Sequence, residues 1–306
     1  MRLPVPDAMP PEKRAVLVEA VERLRWVDGV AAVVLGGSYA RGTQHPQSDI
    51  DIGIYYRESS PFSIDAICQV ARSLSNDGAP VVTDFYEWGP WVNGGAWISA
   101  QAGKVDFLYR NIDQVARTID RAQQGIYEHD YNQQPTFGFY SVTYLGETEV
   151  CIPLVDPQGW IAGLKSKVEQ YPPKLKSAVV TTELWSAEFA LSFAEAHARR
   201  GDVYNTVGCL TRICGCLTQA LFALNETYFM NDKGALQAVD GFYLRPSEYR
   251  ERISRLLASP GNDPSKLAET VTSLRGIFSE VVGLSGDLYQ PKYSTQGLTT
   301  DCAGSS

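Results

Sequence analysis

Two aspartates stand one residue apart in an otherwise apolar run, Asp49-Ile50-Asp51-Ile52-Gly53-Ile54. Aspartate is depleted in strands and costly beside a core, so the pair needs a chemical reason. In a strand side chains alternate between faces. Asp49 and Asp51 would then point one way, roughly 7 Å apart at a rise of ~3.3 Å per residue. Ile50, Ile52 and Ile54 would point the other way, into a core. Two carboxylates on one face repel each other unless a cation lies between them. Hard Mg²⁺ prefers carboxylate oxygen, keeps several waters and shares its shell with phosphates.

What precedes the pair supplies the phosphate side. Gly36-Gly37-Ser38 closes the apolar run Val30-Ala-Ala-Val-Val-Leu35 and leads into Tyr39-Ala40-Arg41. Glycines let backbone approach a ligand closely, and free N–H groups opening a helix face an anion. Gly36, Gly37, Ser38, Arg41 and Ser48 form the expected nucleotide-binding set. Lys233, in a turn much further on, is added as a lysine able to reach phosphate, although a solvated turn lysine is an equal reading. A third carboxylate is expected where a hydroxyl must be activated. Asp106, alone among apolar residues in Lys104-Val-Asp-Phe-Leu-Tyr-Arg110, is ranked first, with Asp84 and Glu87 as rivals. If its strand lies beside that of Asp51, the three carboxylates converge. Trp88, Trp91 and Trp97 are able to stack on a base or an acceptor ring, though core packing is commoner for tryptophan. Arg212, on an apolar helical run, is either a buried cation in need of an anion or a snorkelling side chain.

The elements that must position these residues follow from periodicity. A helix opens at Pro10-Pro11-Glu12 and stops at Gly29; a buried strand follows. Residues 63–75 read as a helix, 80–86 as a strand, and 94–110 as a hairpin turning at Ala102-Gly103. Asn111 starts a further helix closed by Gly125. From about residue 155 the pattern is helix after helix, with Asp156-Pro157 and Asp263-Pro264 both in the form of an N-cap followed by proline. The fold class is therefore an α/β (α+β) domain with a mixed sheet followed by an all-α helical bundle. The expected bounds are 1–125 for the catalytic-type domain, 126–155 for a connecting segment, 156–286 for the bundle and 287–306 for a flexible tail.

The 306 residues carry 27 Lys+Arg against 35 Asp+Glu, a formal charge of −8, which makes nucleic acid an unfavoured partner. The N-terminus lacks the apolar core of a signal peptide and no stretch approaches a membrane span, so a cytoplasmic location without membrane attachment is expected. Six cysteines are scattered without a C-x-x-C pair, and those at 209, 214 and 216 read as buried thiols.

Gly37-Ser38, a gap, then Asp49-Ile50-Asp51-Ile52 resembles the signature of the DNA polymerase beta-like nucleotidyltransferase superfamily. Lys104–Arg110 resembles the strand carrying that family's third acidic residue. Residues 91–98, 153–165 and 224–236 resemble bacterial two-domain members, among them the aminoglycoside and lincosamide nucleotidyltransferases. The resemblance implies transfer of a nucleoside monophosphate from an NTP, ATP first, to an acceptor hydroxyl with release of pyrophosphate. It implies Mg²⁺, two ions, held by Asp49, Asp51 and Asp106, with Asp106 as base or second-metal ligand. A small hydroxylated acceptor, cationic if the acidic balance guides it, would bind between the domains. The alternatives are a toxin-type enzyme modifying tRNA or protein, and a nucleotide-binding protein without turnover. The oligomeric state stays open.

Overall fold

The computed structural model describes residues 3–293, so Cys302 and most of the expected tail lie outside the described residues. The chain divides into two compact units after Pro172.

The first unit is built on a mixed six-stranded sheet. Its strands are β1 (Val30–Leu35), β2 (Ile50–Tyr56), β3 (Val81–Val82), β4 (Gly95–Ala100), β5 (Gly103–Asn111) and β8 (Ile152–Val155), in the order β3-β4-β5-β2-β1-β8. Only β2 and β5 pair in parallel; the other neighbours are antiparallel. Helices α1 (Pro11–Leu24) and α3 (Ile64–Leu74) pack together on one face. Leu17, Leu24 and Ile67 meet Ile50, Ile52, Ile54, Val105, Phe107 and Tyr109 there in one buried core. Full burial of each large aliphatic side chain contributes about 1.5–3 kcal/mol, which fixes the register of these strands. Asp51 is the one residue of β2 that is not buried.

Short α2 (Gly37–Arg41) follows β1. Helix α4 (Ile112–Ala122) follows β5, and the Asn111 side chain caps it by accepting from the amides of Asp113 and Gln114. The next stretch forms a small hairpin, β6 (His129–Asp130) with β7 (Phe139–Tyr140), and then α5 (Val142–Val150). Arg110, buried on β5, makes a two-pronged ion pair with Glu147 of α5 at 2.7 and 2.8 Å. This ties α5 to one end of the sheet.

Several details differ from the sequence reading. Residues 126–155, expected as a connector, fold into the first unit, and β8 occupies the sheet edge beside β1, where Pro153 is tolerated. The strand expected over 80–86 shortens to Val81–Val82, because the chain turns at Tyr86, whose φ is 59°. Asp156 is not an N-cap. Helix α6 (Trp160–Val168) starts after Gly159 (φ 71°), and the Asp156 carboxylate reaches forward to the Ala162 amide at 3.0 Å.

The second unit is helical: α7 (Pro173–Arg199), α8 (Val203–Leu224), α9 (Ala235–Val239), α10 (Tyr249–Ala258) and α11 (Pro264–Ser285). Asp202 and Asp263 cap α8 and α11 through their side chains. Helix α8 corrects one expectation: its 22 residues hold an 18-residue window with a mean hydropathy of 1.5, long and apolar enough to cross a membrane. Its apolar window is 72% buried within the protein, as in the core helix of a bundle. Cys214 and Cys216 lie buried on it, whereas Arg212 is exposed, so the buried-cation reading of Arg212 falls away. Glu188, buried on α7, accepts from the Tyr289 hydroxyl at 2.5 Å and from the amides of Lys292 (2.9 Å) and Tyr293 (2.7 Å), which fastens the segment after α11.

Candidate active site

The register between β2 and β5 sets Asp51 directly opposite Asp106. Paired residues of neighbouring strands point to the same face, so both carboxylates stand on the side of the sheet away from the α1–α3 core. Asp49 lies two residues before Asp51, just outside the strand. The electrostatics record this crowding. Burial, then Asp106, then Asp49 push the Asp51 carboxyl up to about 6 from its ordinary 3.8, with Arg41 opposing. Burial and Asp49 push Asp106 up to about 6, with Lys104 opposing.

The turn after β1 closes over Asp51. The Gly36 amide donates to the Asp51 carbonyl at 2.8 Å. Gly37 has a φ of 59°, and a Cβ built on it would sit 1.7 Å from Asp51 Oδ2. Only glycine fits there, for conformational and steric reasons together. The first-turn amides of a helix have no intrahelical partner, so those opening α2 remain able to bind an anion beside the carboxylates. Tyr39 is buried and anchors α2, while Arg41 is exposed and close enough for its charge to act on Asp51.

Among the described residues, no group of three or more His, Cys, Asp or Glu is gathered closely enough to hold a metal ion by itself. The donor set nevertheless suits a hard cation. It consists of carboxylate oxygens, two of them in register and both resisting ionisation. Mg²⁺ typically needs only one or two carboxylates when phosphates and waters complete its shell.

Residues 17–100 match the family described as Nucleotidyltransferase domain. The match supports the resemblance of this part of the chain to the DNA polymerase beta-like nucleotidyltransferase superfamily. The match spans the glycine turn, Asp49 and Asp51 and ends just short of Asp106. Residues 148–233 match a second family, a domain of unknown function (DUF4037), which begins in α5 and runs into the second unit. No curated protein matches the sequence. Among solved structures, the chain is similar to a nucleotidyltransferase-like protein from Exiguobacterium sibiricum 255-15, at 9% identity, with a TM-score of 0.45 and coverage of 90% of this chain and 78% of that one.

The other residues singled out in the sequence take less direct places. Ser48 is buried, and its hydroxyl accepts from the His45 amide at 2.9 Å, so it braces the turn that delivers Asp49. Asp84 and Glu87 are exposed on the loop between β3 and β4. There the Asp84 amide donates to Glu87 Oε2 at 2.9 Å, and neither lies on a strand with the carboxylate pair. Lys233 lies exposed in the second unit just before α9 and is not among the residues the first unit gathers.

Lys13 is the residue the sequence reading missed. It is buried on α1, and its ammonium donates to the carbonyls of Pro46 (3.3 Å) and Ser48, the two sides of the turn that ends at Asp49. It shares a helical face with the buried Leu17, Val21 and Leu24, so a lysine on the apolar stripe was the available clue. Lys13→Met keeps the apolar stem but strands two carbonyls. It is expected to cost about 1–3 kcal/mol, read as a lower urea midpoint with an unchanged m-value.

Proposed function

We propose that the first unit transfers a nucleoside monophosphate from an NTP, ATP by preference, to a hydroxyl of a small acceptor in a Mg²⁺-dependent reaction. The observation that carries this reading is the Asp51–Asp106 pair in register beneath a glycine turn that admits no side chain.

Each residue has a part. The backbone of Gly36, Gly37 and Ser38, with Arg41, takes the triphosphate. Asp49, Asp51 and Asp106 would hold the metal, two ions in this reading. Bound divalent ions supply charge neutralisation at the triphosphate and at the leaving oxygen. The acceptor oxygen bonds to the α-phosphorus, the bond from that phosphorus to the bridging oxygen breaks, and pyrophosphate leaves. Asp106 either accepts the hydroxyl proton or completes the metal's ligand set. The net charge of −8 favours a neutral or cationic acceptor over a polyanionic one.

The test is incubation of the full chain with α-labelled NTPs, Mg²⁺ and a panel of aminoglycosides, lincosamides and tRNA. Label is expected on a small molecule, dependent on Mg²⁺ and absent with Asp49→Asn. Label on tRNA would make the acceptor macromolecular, and undiminished labelling by Asp49→Asn would remove the carboxylates from the mechanism.

A further inference from the structure

The sheet lays out one row of residues across the open face. Asp51 of β2 pairs with Asp106 of β5, and Asp106 pairs in turn with Trp97 of β4. With the glycine turn beyond β1, the order across the sheet is cradle, Asp51, Asp106, Trp97. Direct cross-strand neighbours have Cβ atoms about 4.5–5.5 Å apart, so the Trp97 indole stands immediately past Asp106. Its ring lies over Gly95, where an added Cβ would meet Trp97 at 3.5 Å.

A second indole is seated on it. Trp88 stacks on Trp97 with ring centroids 4.2 Å apart and planes 27° apart, and it remains 45% exposed. The loop that carries Trp88 is fastened on both sides. The Tyr86 hydroxyl accepts from the Asn111 side chain at 2.8 Å, and the Trp91 carbonyl accepts from the Tyr144 hydroxyl at 2.6 Å. A fixed, half-exposed indole pair beside a carboxylate is a preorganised surface rather than core packing.

In-line displacement gives the row a direction. The leaving pyrophosphate belongs at the cradle end, so the attacking hydroxyl enters from the opposite side of the α-phosphorus. That side is past Asp106. We infer that the Trp88–Trp97 pair is the acceptor platform: it takes the ring face of a ring-bearing alcohol whose hydroxyl reaches Asp106. This rests on the transfer reaction proposed above. Exposed Lys104, Ser99 and Glu87 around the pair supply polar edges for such a molecule.

The test uses the full chain labelled with 5-fluorotryptophan, in which six tryptophans give six ¹⁹F signals. Trp88→Phe and Trp97→Phe assign two of them. The protein is loaded with Mg²⁺ and a non-hydrolysable ATP analogue, with binding followed by calorimetry, and then titrated with methyl glucoside and, separately, 2-phenylethanol. The expected result is that the Trp88 and Trp97 signals move with at least one alcohol and not with nucleotide alone. Movement with nucleotide alone would assign the pair to the base and overturn the platform. No movement with either alcohol, while calorimetry shows nucleotide bound, would overturn the platform and leave the transfer reading standing. Absence of nucleotide binding would overturn both. With an acceptor from the labelling screen, Trp88→Ala is expected to raise its KM about tenfold, the effect of one lost stacking contact, with the NTP KM unchanged and Trp88→Phe restoring it.

Discussion

Asp51→Asn is expected to abolish nucleotidyl transfer, by about a thousandfold or more, while making the ligand-free protein more stable than its parent. The two effects share one cause. Asp51 has an ordinary pKa of 3.8 and sits in the fold at about 6, raised by burial and by its carboxylate neighbours. Between about pH 4 and 6 the folded state therefore binds more protons than the unfolded one, so stability falls as pH rises through that window and levels off above it. Asparagine keeps the shape and removes the charge. The gain should be fully present at pH 7, about 1–2 kcal/mol after allowance for solvent screening, and should vanish below about pH 4. Urea denaturation of both proteins at pH 4 and pH 7, without metal, measures it. A variant less stable than the parent at pH 7 would show that the carboxylate has a stabilising partner within the protein.

Gly37→Ala is expected to damage the same site from the backbone side. The left-handed φ of 59° costs a non-glycine residue roughly 1–2 kcal/mol. The new methyl also falls 1.7 Å from Asp51 Oδ2, so either the turn or the carboxylate must move. Displacement of a reacting group by about 1 Å is worth roughly a hundredfold in rate. Gly42→Ala is the matched control. Gly42 has a φ of 70° and nothing within 4 Å of the added Cβ, so it carries the backbone strain without the collision. Similar melting temperatures with a hundredfold difference in transfer would place the effect at Asp51. Equal activities would mean that the turn relaxes without consequence.

How far the sequence reveals this site depends on how local each feature is. Asp51 was legible because a carboxylate there breaks the core pattern of its strand, whereas Asp49, expected on the same strand, lies just before it; the adjacency of β5, left as a condition in the sequence, sets Asp106 opposite Asp51. The caps at Asn111 and Asp263 were legible because a cap is written within three residues of its partner amide. Asp156 misled for the same reason. Its reach to the Ala162 amide spans a left-handed Gly159 that no propensity anticipates. The joining of Ile152–Val155 to the edge of β1 depends on pairing across more than a hundred residues. The fastening of the Trp88 loop, through Tyr86 to Asn111 and Trp91 to Tyr144, likewise joins residues 25 and 53 positions apart. Lys13 combines the two cases: its place on an apolar face is local, but the carbonyls it serves lie on another element.

The most direct measurement is the titration of the Asp51 and Asp106 carboxyl groups by ¹³C NMR, with and without Mg²⁺ and a non-hydrolysable ATP analogue. Without ligand both should titrate near pH 6. With magnesium and nucleotide bound, the shared positive charge should hold both ionised to well below pH 5. Carboxylates that still titrate near pH 6 in the saturated complex would contradict the account.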